Sequence, residues 1–163
     1  VIEAVHLFNK KSEDIEIVVH PQSIIHSMVK FNDGSIKAQL GFPDMRLPIL
    51  YSLSFPDRWT YEATQKTSCN FGNLSFEKAD FNLFPCLELA YSAINTGGSM
   101  PCVLNAANEV AVEAFLTEKI KFVEIPKIIE KCMTRNELFT KTPSIDDCFA
   151  INDLTIKTAK SLI

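Results

Sequence analysis

The sequence predicts an α+β protein in which an antiparallel or mixed sheet with a hairpin and helices is followed by a C-terminal helical bundle. Residues 32–35 contain an Asp-Gly pair, which supplies the positive φ angles that a tight hairpin turn requires. Residues 35–40 alternate polar and apolar side chains, as a half-exposed strand does. From residue 80 onward, apolar side chains recur at helical spacing between Gly and Pro residues.

The first region, residues 1–79, mixes strands with helices. It opens with an amphipathic helical pattern over residues 1–9, and Pro48 suits the first turn of a second helix that stops before Pro56. β-branched runs and the hairpin signal predict the strands. The expected strands are residues 15–19, 27–31, 35–40 and a short one within an otherwise loop-like segment, near residues 74–76.

The second region, residues 80–163, is predicted to be helical throughout. Gly97 and Gly98 end its first helix, and Pro101 starts the next. The expected helices are residues 82–95, 101–116, 125–133, a short one opened by Ser144, and a last one capped by Asn152 and Asp153. Short connections between these helices favour an antiparallel bundle.

The composition excludes several classes of protein. Hydrophobic residues make up 47% and charged residues 22% of the 163 residues, which is typical of a globular protein. No stretch approaches the ~20 apolar residues of a membrane span, so no membrane partner is expected. The net charge is −4 and the basic residues are scattered, so nucleic acid is not an expected partner either.

Five cysteines at wide spacings, without a CxxC pair, predict reduced thiols in a cytoplasm-like compartment rather than disulfides or a zinc site. Each is interpreted as a small core residue. The N-terminus begins directly within the pattern VIEAVHLF, without Met or an N-cap. We therefore expect the sequence to be a fragment that starts inside a helix.

One long segment carries a family resemblance. The string HPQSIIHSMVKFNDGSIKAQLGFPDMRLPI at residues 20–49 resembles the catalytic-domain hairpin and following loop of the 1-deoxy-D-xylulose 5-phosphate reductoisomerase family. Residues 84–98 and 103–116 resemble two helices of that family's C-terminal bundle, and residues 2–8 resemble the end of its active-site helix. The resemblance therefore implies that residues 1–79 are the C-terminal part of a catalytic domain and residues 80–163 a helical bundle domain.

The resemblance implies an enzyme of non-mevalonate isoprenoid biosynthesis. That family isomerises the sugar phosphate 1-deoxy-D-xylulose 5-phosphate and reduces it with NADPH to 2-C-methyl-D-erythritol 4-phosphate. Mg²⁺ or Mn²⁺ chelates the substrate oxygens and stabilises the enediolate charge. The family's metal carboxylates, its upstream phosphate ligands and its Gly-rich NADPH turn have no counterpart in this sequence. NADPH and metal are thus expected for the parent enzyme and not for this fragment alone, which is expected to be inactive.

Three residues are expected at the cofactor by resemblance. Ser23 matches a position near the nicotinamide, and Pro43 and Met45 match residues that line the cofactor and substrate pocket. A methionine offers a soft, adaptable surface to a flat ring. The alternative is that residues 43–44 form a simple turn and Met45 covers an apolar cluster.

His26 is the expected supporting catalytic residue, because the resemblance puts it near the substrate end of the sheet. An imidazole there could hold a carboxylate or tune local charge. The alternative for His26 is a structural histidine bonded to backbone, which is the favoured interpretation for His20 beside Pro21. Glu3 would follow the missing metal-binding Glu by three residues, on the same helix face. It could support a metal ligand by hydrogen bonding, or be a solvated carboxylate.

Three functions stay open from the sequence. The first is part of a cytoplasmic or plastid-type reductoisomerase that works as a homodimer through the sheet. The second is an inactive folded module for dimerisation or scaffolding. The third is a plain helical adaptor, which accounts for residues 80–163 but not for the segment HPQSIIHS.

Overall fold

The computed structural model describes residues 1–62 and 72–163. Contacts divide the chain into two compact units, which we call the helical unit (Val1–Glu16 with Asp80–Ile163) and the hairpin unit (Ile17–Ala79). The expected division between residues 79 and 80 coincides with one of these boundaries. Residues 1–16, however, group with the helices rather than with the strands. Whether residues 1–79 belong to one catalytic domain of a longer protein stays a prediction.

The N-terminal segment joins the helical unit through specific contacts. Helix α1 (Ile2–Phe8) ends at Asn9, which takes a left-handed conformation, and a short 3-10 turn follows. Helix α3 (Pro85–Thr96) holds this turn, because Ser12 donates a 2.6 Å hydrogen bond to Asn95 and the Tyr91 hydroxyl donates one of 2.8 Å to the carbonyl of Ile15. The polar turn after the first helix is therefore an anchor as well as a connection.

Two antiparallel pairs of strands make up the hairpin unit. Strand β1 (Val18–Val19) pairs with β4 (Glu77–Lys78), and β2 (Ile25–Lys30) pairs with β3 (Ile36–Leu40). The expected hairpin is confirmed. Gly34 takes a φ of 85°, and the Asp33 carboxylate accepts from the Ser35 backbone N–H and hydroxyl, so the turn is closed by its own polar side chain.

The strands at the edges of this unit differ from expectation. The strand predicted at residues 15–19 is reduced to β1, because the preceding residues form the 3-10 turn and the Ile15 carbonyl is bonded by Tyr91. The short strand predicted near residues 74–76 lies slightly later, as β4. The predicted loop at residues 60–75 lies partly outside the described residues. Helix α2 (Arg46–Ser54) begins two residues before the expected Pro48.

The remaining helices pack around one core. They are α4 (Met100–Leu116), α5 (Ile125–Met133) and α6 (Ile145–Lys160). Small side chains on α4, among them Ala107 and Ala111, are fully buried and allow its neighbours to approach closely. Ile129 and Leu138 fill the space beside them. The all-helical prediction for this region is confirmed.

Helix α6 corrects one prediction. The sequence analysis expects a short helix from Ser144 and a separate last helix capped by Asn152 and Asp153, but the structure has one continuous helix. Ser144 is its N-cap, with a capping box formed with Asp147. The helix continues because Ile151, Thr155 and Ala159 recur at helical spacing and are buried, which keeps the two polar residues inside it.

Within the described residues, no helix combines the length and the apolar composition that crossing a membrane requires. The hairpin nevertheless exposes apolar side chains. Val29 and Ile36 are 57% and 59% exposed. At the start of α2 and along it, Met45, Ile49 and Leu53 follow one another at a spacing of four residues and are likewise exposed. The apolar surface of the hairpin unit is therefore only partly covered by the chain itself.

Candidate functional site

The predicted site residues of the hairpin unit lie in segments at one end of the β2–β3 pair. The backbone N–H of Gly41, just after β3, donates a 3.0 Å hydrogen bond to the carbonyl of Ile24, just before β2. This bond puts the turn at residues 20–23 and the loop at residues 42–45 at the same end of the hairpin. We call this end, with those two segments and His26, the hairpin base.

Ser23 closes the first segment of the hairpin base. Its backbone N–H donates to the carbonyl of His20 at 3.0 Å, and its φ is 50°, a conformation that residues other than Gly and Asn rarely adopt. Backbone strain of this kind costs about 1–3 kcal/mol and is held by surrounding structure. The side chain is exposed, so its hydroxyl is available to a ligand.

His26 is the extra residue of a β-bulge. Ile25 pairs with Leu40 and Ser27 with Gln39, so His26 has no partner of its own on the opposite strand. Bulges redirect a side chain that regular alternation would place elsewhere. The imidazole lies beside Gly41, where a β carbon would come 3.7 Å from Nε2. His26 is exposed, and no hydrogen bond from its ring to a described residue is present, in contrast to the backbone-bonded alternative.

His20 matches its favoured interpretation as a histidine bonded to backbone. Its Nδ1 lies 2.7 Å from the carbonyl oxygen of Ser75, and its ring stacks on Phe76 with centroids 4.6 Å apart. Nε2 is buried and has no hydrogen-bond partner among the described residues. Gln22 adds a second attachment through a 2.8 Å hydrogen bond from its amide nitrogen to the Ser75 hydroxyl. Together these contacts fix the turn that presents Ser23.

Pro43 and Met45 lie in the second segment of the hairpin base. The chain turns tightly around Pro43, because the N–H of Asp44 donates to the carbonyl of Phe42 at 2.7 Å. Met45 precedes the first residue of α2 and is 73% exposed. At this exposure its side chain is open to a ligand or to another part of a protein.

A carboxylate–guanidinium fork fixes this second segment. The Nε of Arg46 donates to both oxygens of Asp44 at 2.9 and 3.0 Å, and a second guanidinium nitrogen donates at 2.6 Å. The Arg46 guanidinium, followed by its backbone N–H, lowers the pKa of Asp44. Arg46 also lies over the ring of Tyr61, 5.1 Å from the centroid. The residues flanking Met45 are thus preorganised.

Glu3 lies elsewhere, in the first turn of α1 in the helical unit, where it is exposed. No group of three or more His, Cys, Asp or Glu side chains that could hold a metal ion occurs in the part of the chain that the structure describes. The donor set for Mg²⁺ or Mn²⁺ is therefore not assembled by these residues. What the hairpin base offers instead is a hydroxyl, an imidazole and an apolar thioether, which suits contact with a planar ring.

Sequence reasoning missed the parts that support this site. The contacts of the 20–23 turn with Ser75 and Phe76 join positions more than fifty residues apart, and no local sequence pattern predicts them. The Asp44–Arg46 fork, by contrast, has a local signal, because the two charges are two residues apart beside a proline. The bulge at His26 has no sequence signal, since the run from Ile25 to Lys30 has the composition of an ordinary strand.

Comparison with known proteins shows the family to which this chain belongs. Residues 40–158 match the family model of the DXP reductoisomerase C-terminal domain, so the chain belongs to that family. It is 54% identical over 152 residues to 1-deoxy-D-xylulose 5-phosphate reductoisomerase of Acetivibrio thermocellus, covering 93% of this chain and 40% of the relative. The enzyme of Prochlorococcus marinus strain NATL1A is 51% identical over 154 residues, 94% of this chain and 37% of its own length.

Solved structures agree with this assignment. The 1-deoxy-D-xylulose 5-phosphate reductoisomerase from Zymomonas mobilis in complex with NADPH is 47% identical and superposes with a TM-score of 0.84, over 98% of this chain and 42% of that one. A DOX-P reductoisomerase in complex with NADPH, fosmidomycin and magnesium is 36% identical with a TM-score of 0.87, over 98% and 41% of the two chains. The chain thus spans about 40% of the length of the relatives it matches.

Proposed function

We propose that this chain is the C-terminal part of an enzyme that isomerises 1-deoxy-D-xylulose 5-phosphate and reduces it with NADPH to 2-C-methyl-D-erythritol 4-phosphate. The observation that carries the proposal is the continuous match to such enzymes over nearly the whole chain, at about half identity and with the same backbone. The sequence has five widely spaced cysteines, and those that the structure describes form no disulfide bond. This supports the cytoplasm or a plastid-type organelle as the compartment.

The hairpin base is the part of this chain that would touch the cofactor. Ser23 would lie near the nicotinamide, with its hydroxyl held in place by the strained turn. Pro43 and Met45 would form the apolar wall against the flat ring, with the Asp44–Arg46 fork keeping the loop in position. NADPH itself supplies the hydride. The protein residues bind it and orient it, which is a large part of what a cofactor enzyme contributes.

The role we propose for His26 is positioning. The bulge turns its imidazole toward Gly41 at the hairpin base, where it can donate or accept one hydrogen bond from a ligand or from a carboxylate. The metal ion is a different matter. The described residues contain no suitable ligand set, so we assign no metal-dependent step to them and propose only that Glu3 supports a ligand contributed by upstream residues.

The test is NADPH oxidation with 1-deoxy-D-xylulose 5-phosphate and Mn²⁺. The 163-residue chain is compared with a longer version that begins where the relatives begin. We expect turnover only by the longer protein, since the metal carboxylates and the Gly-rich turn lie upstream. Turnover by the short chain would overturn our assignment of the chemistry. No turnover by a folded long version would overturn the proposed reaction.

The exposed hairpin supports homodimer formation as part of this proposal. Met28 and Ile36 lie on one face of the β2–β3 pair and are 42% and 59% exposed, and Val29 on the other face is exposed as well. A hairpin with free edges and apolar faces readily pairs with another sheet. The same surface supports the alternative function, a folded dimerisation or scaffold module without activity of its own. The activity of the longer protein distinguishes the two.

A further inference from the structure

Two cysteines outside the candidate site lie next to each other in the helical unit. Cys102 is in the first turn of α4, and Cys148 is in the first turn of α6. The thiol of Cys102 donates a hydrogen bond to the backbone carbonyl of Cys148 across 3.5 Å. Besides burial, the Cys148 side chain also raises the pKa of Cys102, which indicates that the two side chains lie near each other as well. The sequence analysis, which treats each cysteine as a separate core residue, did not anticipate this pair.

The pair is accessible. Both cysteines are partly exposed, and both line an open groove of about 760 Å³ together with Gly97, Gly98 and Pro101. A small oxidant in solution can therefore approach both residues through this groove. Cys132, by contrast, is completely buried, and Cys86 is exposed on a different helix.

Helix packing keeps the two thiols together. Helices α4 and α6 contact each other and run in the same direction, since Cys102 and Cys148 adjoin at their first turns while Thr117 and Lys160 line one cavity at their other ends. Val103, the residue after Cys102, is fully buried, and Ile151 is nearly so. The first turns of both helices are thus anchored in the same core and cannot drift apart without disrupting it.

We propose that Cys102 and Cys148 form a modification site at which peroxide converts the two thiols into an intramolecular disulfide. The thiolate of one cysteine attacks a peroxide oxygen, the O–O bond breaks, and hydroxide leaves to give a sulfenic acid. The second thiol attacks that sulfur, the S–S bond forms, and the S–O bond breaks with loss of water. In sum, two thiols and hydrogen peroxide give one disulfide and two waters. The bond covalently joins the first turns of α4 and α6.

The reaction is expected to be slow. Burial, followed by the nearby Cys148, raises the pKa of Cys102, so the neutral thiol dominates near neutral pH. Reactive sensor cysteines usually have lowered pKa values. Geometry rather than thiolate character is therefore what favours this pair, and product identity is a better readout than rate.

The experiment is peroxide oxidation of the native chain, with alkylation of the remaining thiols, proteolysis without reductant and mass spectrometry. We expect the main oxidised product to be one linked peptide pair that contains Cys102 and Cys148, lighter by two hydrogens than the sum of its halves. The link should be lost when the oxidised protein is reduced with dithiothreitol before proteolysis. It should also be absent from Cys102→Ser and from Cys148→Ser. It should be retained in Cys86→Ser, the matched control at an exposed cysteine.

Oxidation in urea provides the decisive comparison. If the folded geometry directs the pairing, the unfolded chain should give a mixture of cysteine pairings and much less of this link. The proposal is overturned if native Cys102 and Cys148 stay fully alkylatable while peroxide oxidises other sites. It is equally overturned if both become sulfinic acids without linking, or if the link forms as well in urea. The unsubstituted chain alone decides each outcome, so a serine variant that fails to fold does not obscure the result.

Discussion

The hydroxyl of Ser99 donates a 2.9 Å hydrogen bond to the carbonyl of Leu138, and both residues are buried. The same oxygen accepts a 2.8 Å hydrogen bond from the backbone N–H of Thr140. One side chain at the start of α4 thereby satisfies two backbone groups of the segment between α5 and α6. This corner positions the first turn of α4, on which the proposed cysteine pair depends.

Replacing Ser99 by Ala should destabilise the fold by about 1–3 kcal/mol, because a backbone donor and a backbone acceptor lose their partner in a buried place. Urea denaturation followed by circular dichroism measures the free energy of unfolding. Ser92→Ala is the control, at an exposed serine of α3, and should change it by less than about 0.5 kcal/mol. Equal stability of the two variants would contradict the role of the corner.

The adjacent residues Gly97 and Gly98 differ in how much space an added β carbon would have. Gly97 and Gly98 both have positive φ, at 69° and 56°, so an alanine at either position is strained. Only at Gly98 would the new β carbon collide with backbone, namely with the carbonyl of Thr140 and with Lys141. We expect Gly98→Ala to be less stable than Gly97→Ala by about 1–3 kcal/mol in the same denaturation experiment. Indistinguishable variants would mean that the corner can move apart freely.

The capping box of α6 should make stability depend on acid pH. The Ser144 backbone N–H and hydroxyl lower the pKa of Asp147 in the folded chain. A carboxyl whose pKa is lower in the folded chain stabilises the fold at pH values above its ordinary pKa of about 3.9. This contribution is lost as the pH falls through the pKa of the folded chain. Asp147→Ala should therefore be less stable than the unsubstituted chain at neutral pH, and the difference should shrink in acid.

Asp146→Ala is the matched control for the capping box. It removes the same charge from the same first turn, but none of the capping hydrogen bonds described above involves Asp146. Urea denaturation at several pH values between neutral and strongly acidic compares the two variants. A destabilisation by Asp147→Ala that did not change with pH would indicate that the charged form contributes nothing.

Met45 gives a test of the proposed cofactor wall. Because it is 73% exposed, Met45→Ala should leave stability within about 0.5 kcal/mol. In the longer, active protein it should raise the KM for NADPH by about 3- to 10-fold, through lost apolar contact. Leu53→Ala on α2, the helix that follows Met45, removes a side chain of the same 73% exposure and should leave this KM unchanged. Steady-state kinetics with varied NADPH decides, and an equal effect of both variants would remove the specific role of Met45.

Ile36 gives a test of the proposed dimer. Ile36→Lys puts a charge on the apolar face of β3, so association through that face should weaken. The control Lys37→Ala changes the opposite face of the same strand and should not weaken it. Sedimentation equilibrium should report dimer for the control and a shift toward monomer for Ile36→Lys. A monomer for the unsubstituted chain would contradict the proposal itself.

The sequence predicts most of this fold where the signals are local. The Asp-Gly turn, the alternation in β3 and the helical spacing after residue 80 are each visible within a few residues of sequence. The structure has the hairpin and the helices that these patterns predict. The continuous C-terminal helix was missed because Asn152 and Asp153 resemble an N-cap in the local sequence. The burial of Ile151 and Thr155 in the shared core keeps the helix continuous through these two residues. The grouping of residues 1–16 with the helices also depends on distant contacts, such as that of Ser12 with Asn95.

The candidate site was predictable to a different degree. The resemblance named Ser23, His26, Pro43 and Met45, and the structure places them around one hairpin end, but their proposed roles stay predictions. The bulge that redirects His26 depends on how two strands pair. Pairing register is decided by both strands and their surroundings, so inspection of one strand alone does not reveal it.

The pairing of Val18 with Lys78 has a consequence for how the chain is built. The hairpin unit starts at Ile17 and ends at Ala79, so its first and last residues are fastened side by side by this short ladder. In the sequence, the hairpin unit is therefore an insertion between the two parts of the helical unit, and the β1–β4 pair closes it where it begins and ends. Closure of a chain segment costs entropy that grows only slowly with its length. The length of the inserted segment between β1 and β4 can therefore change at a small entropic cost, without a change in the helices that precede and follow it.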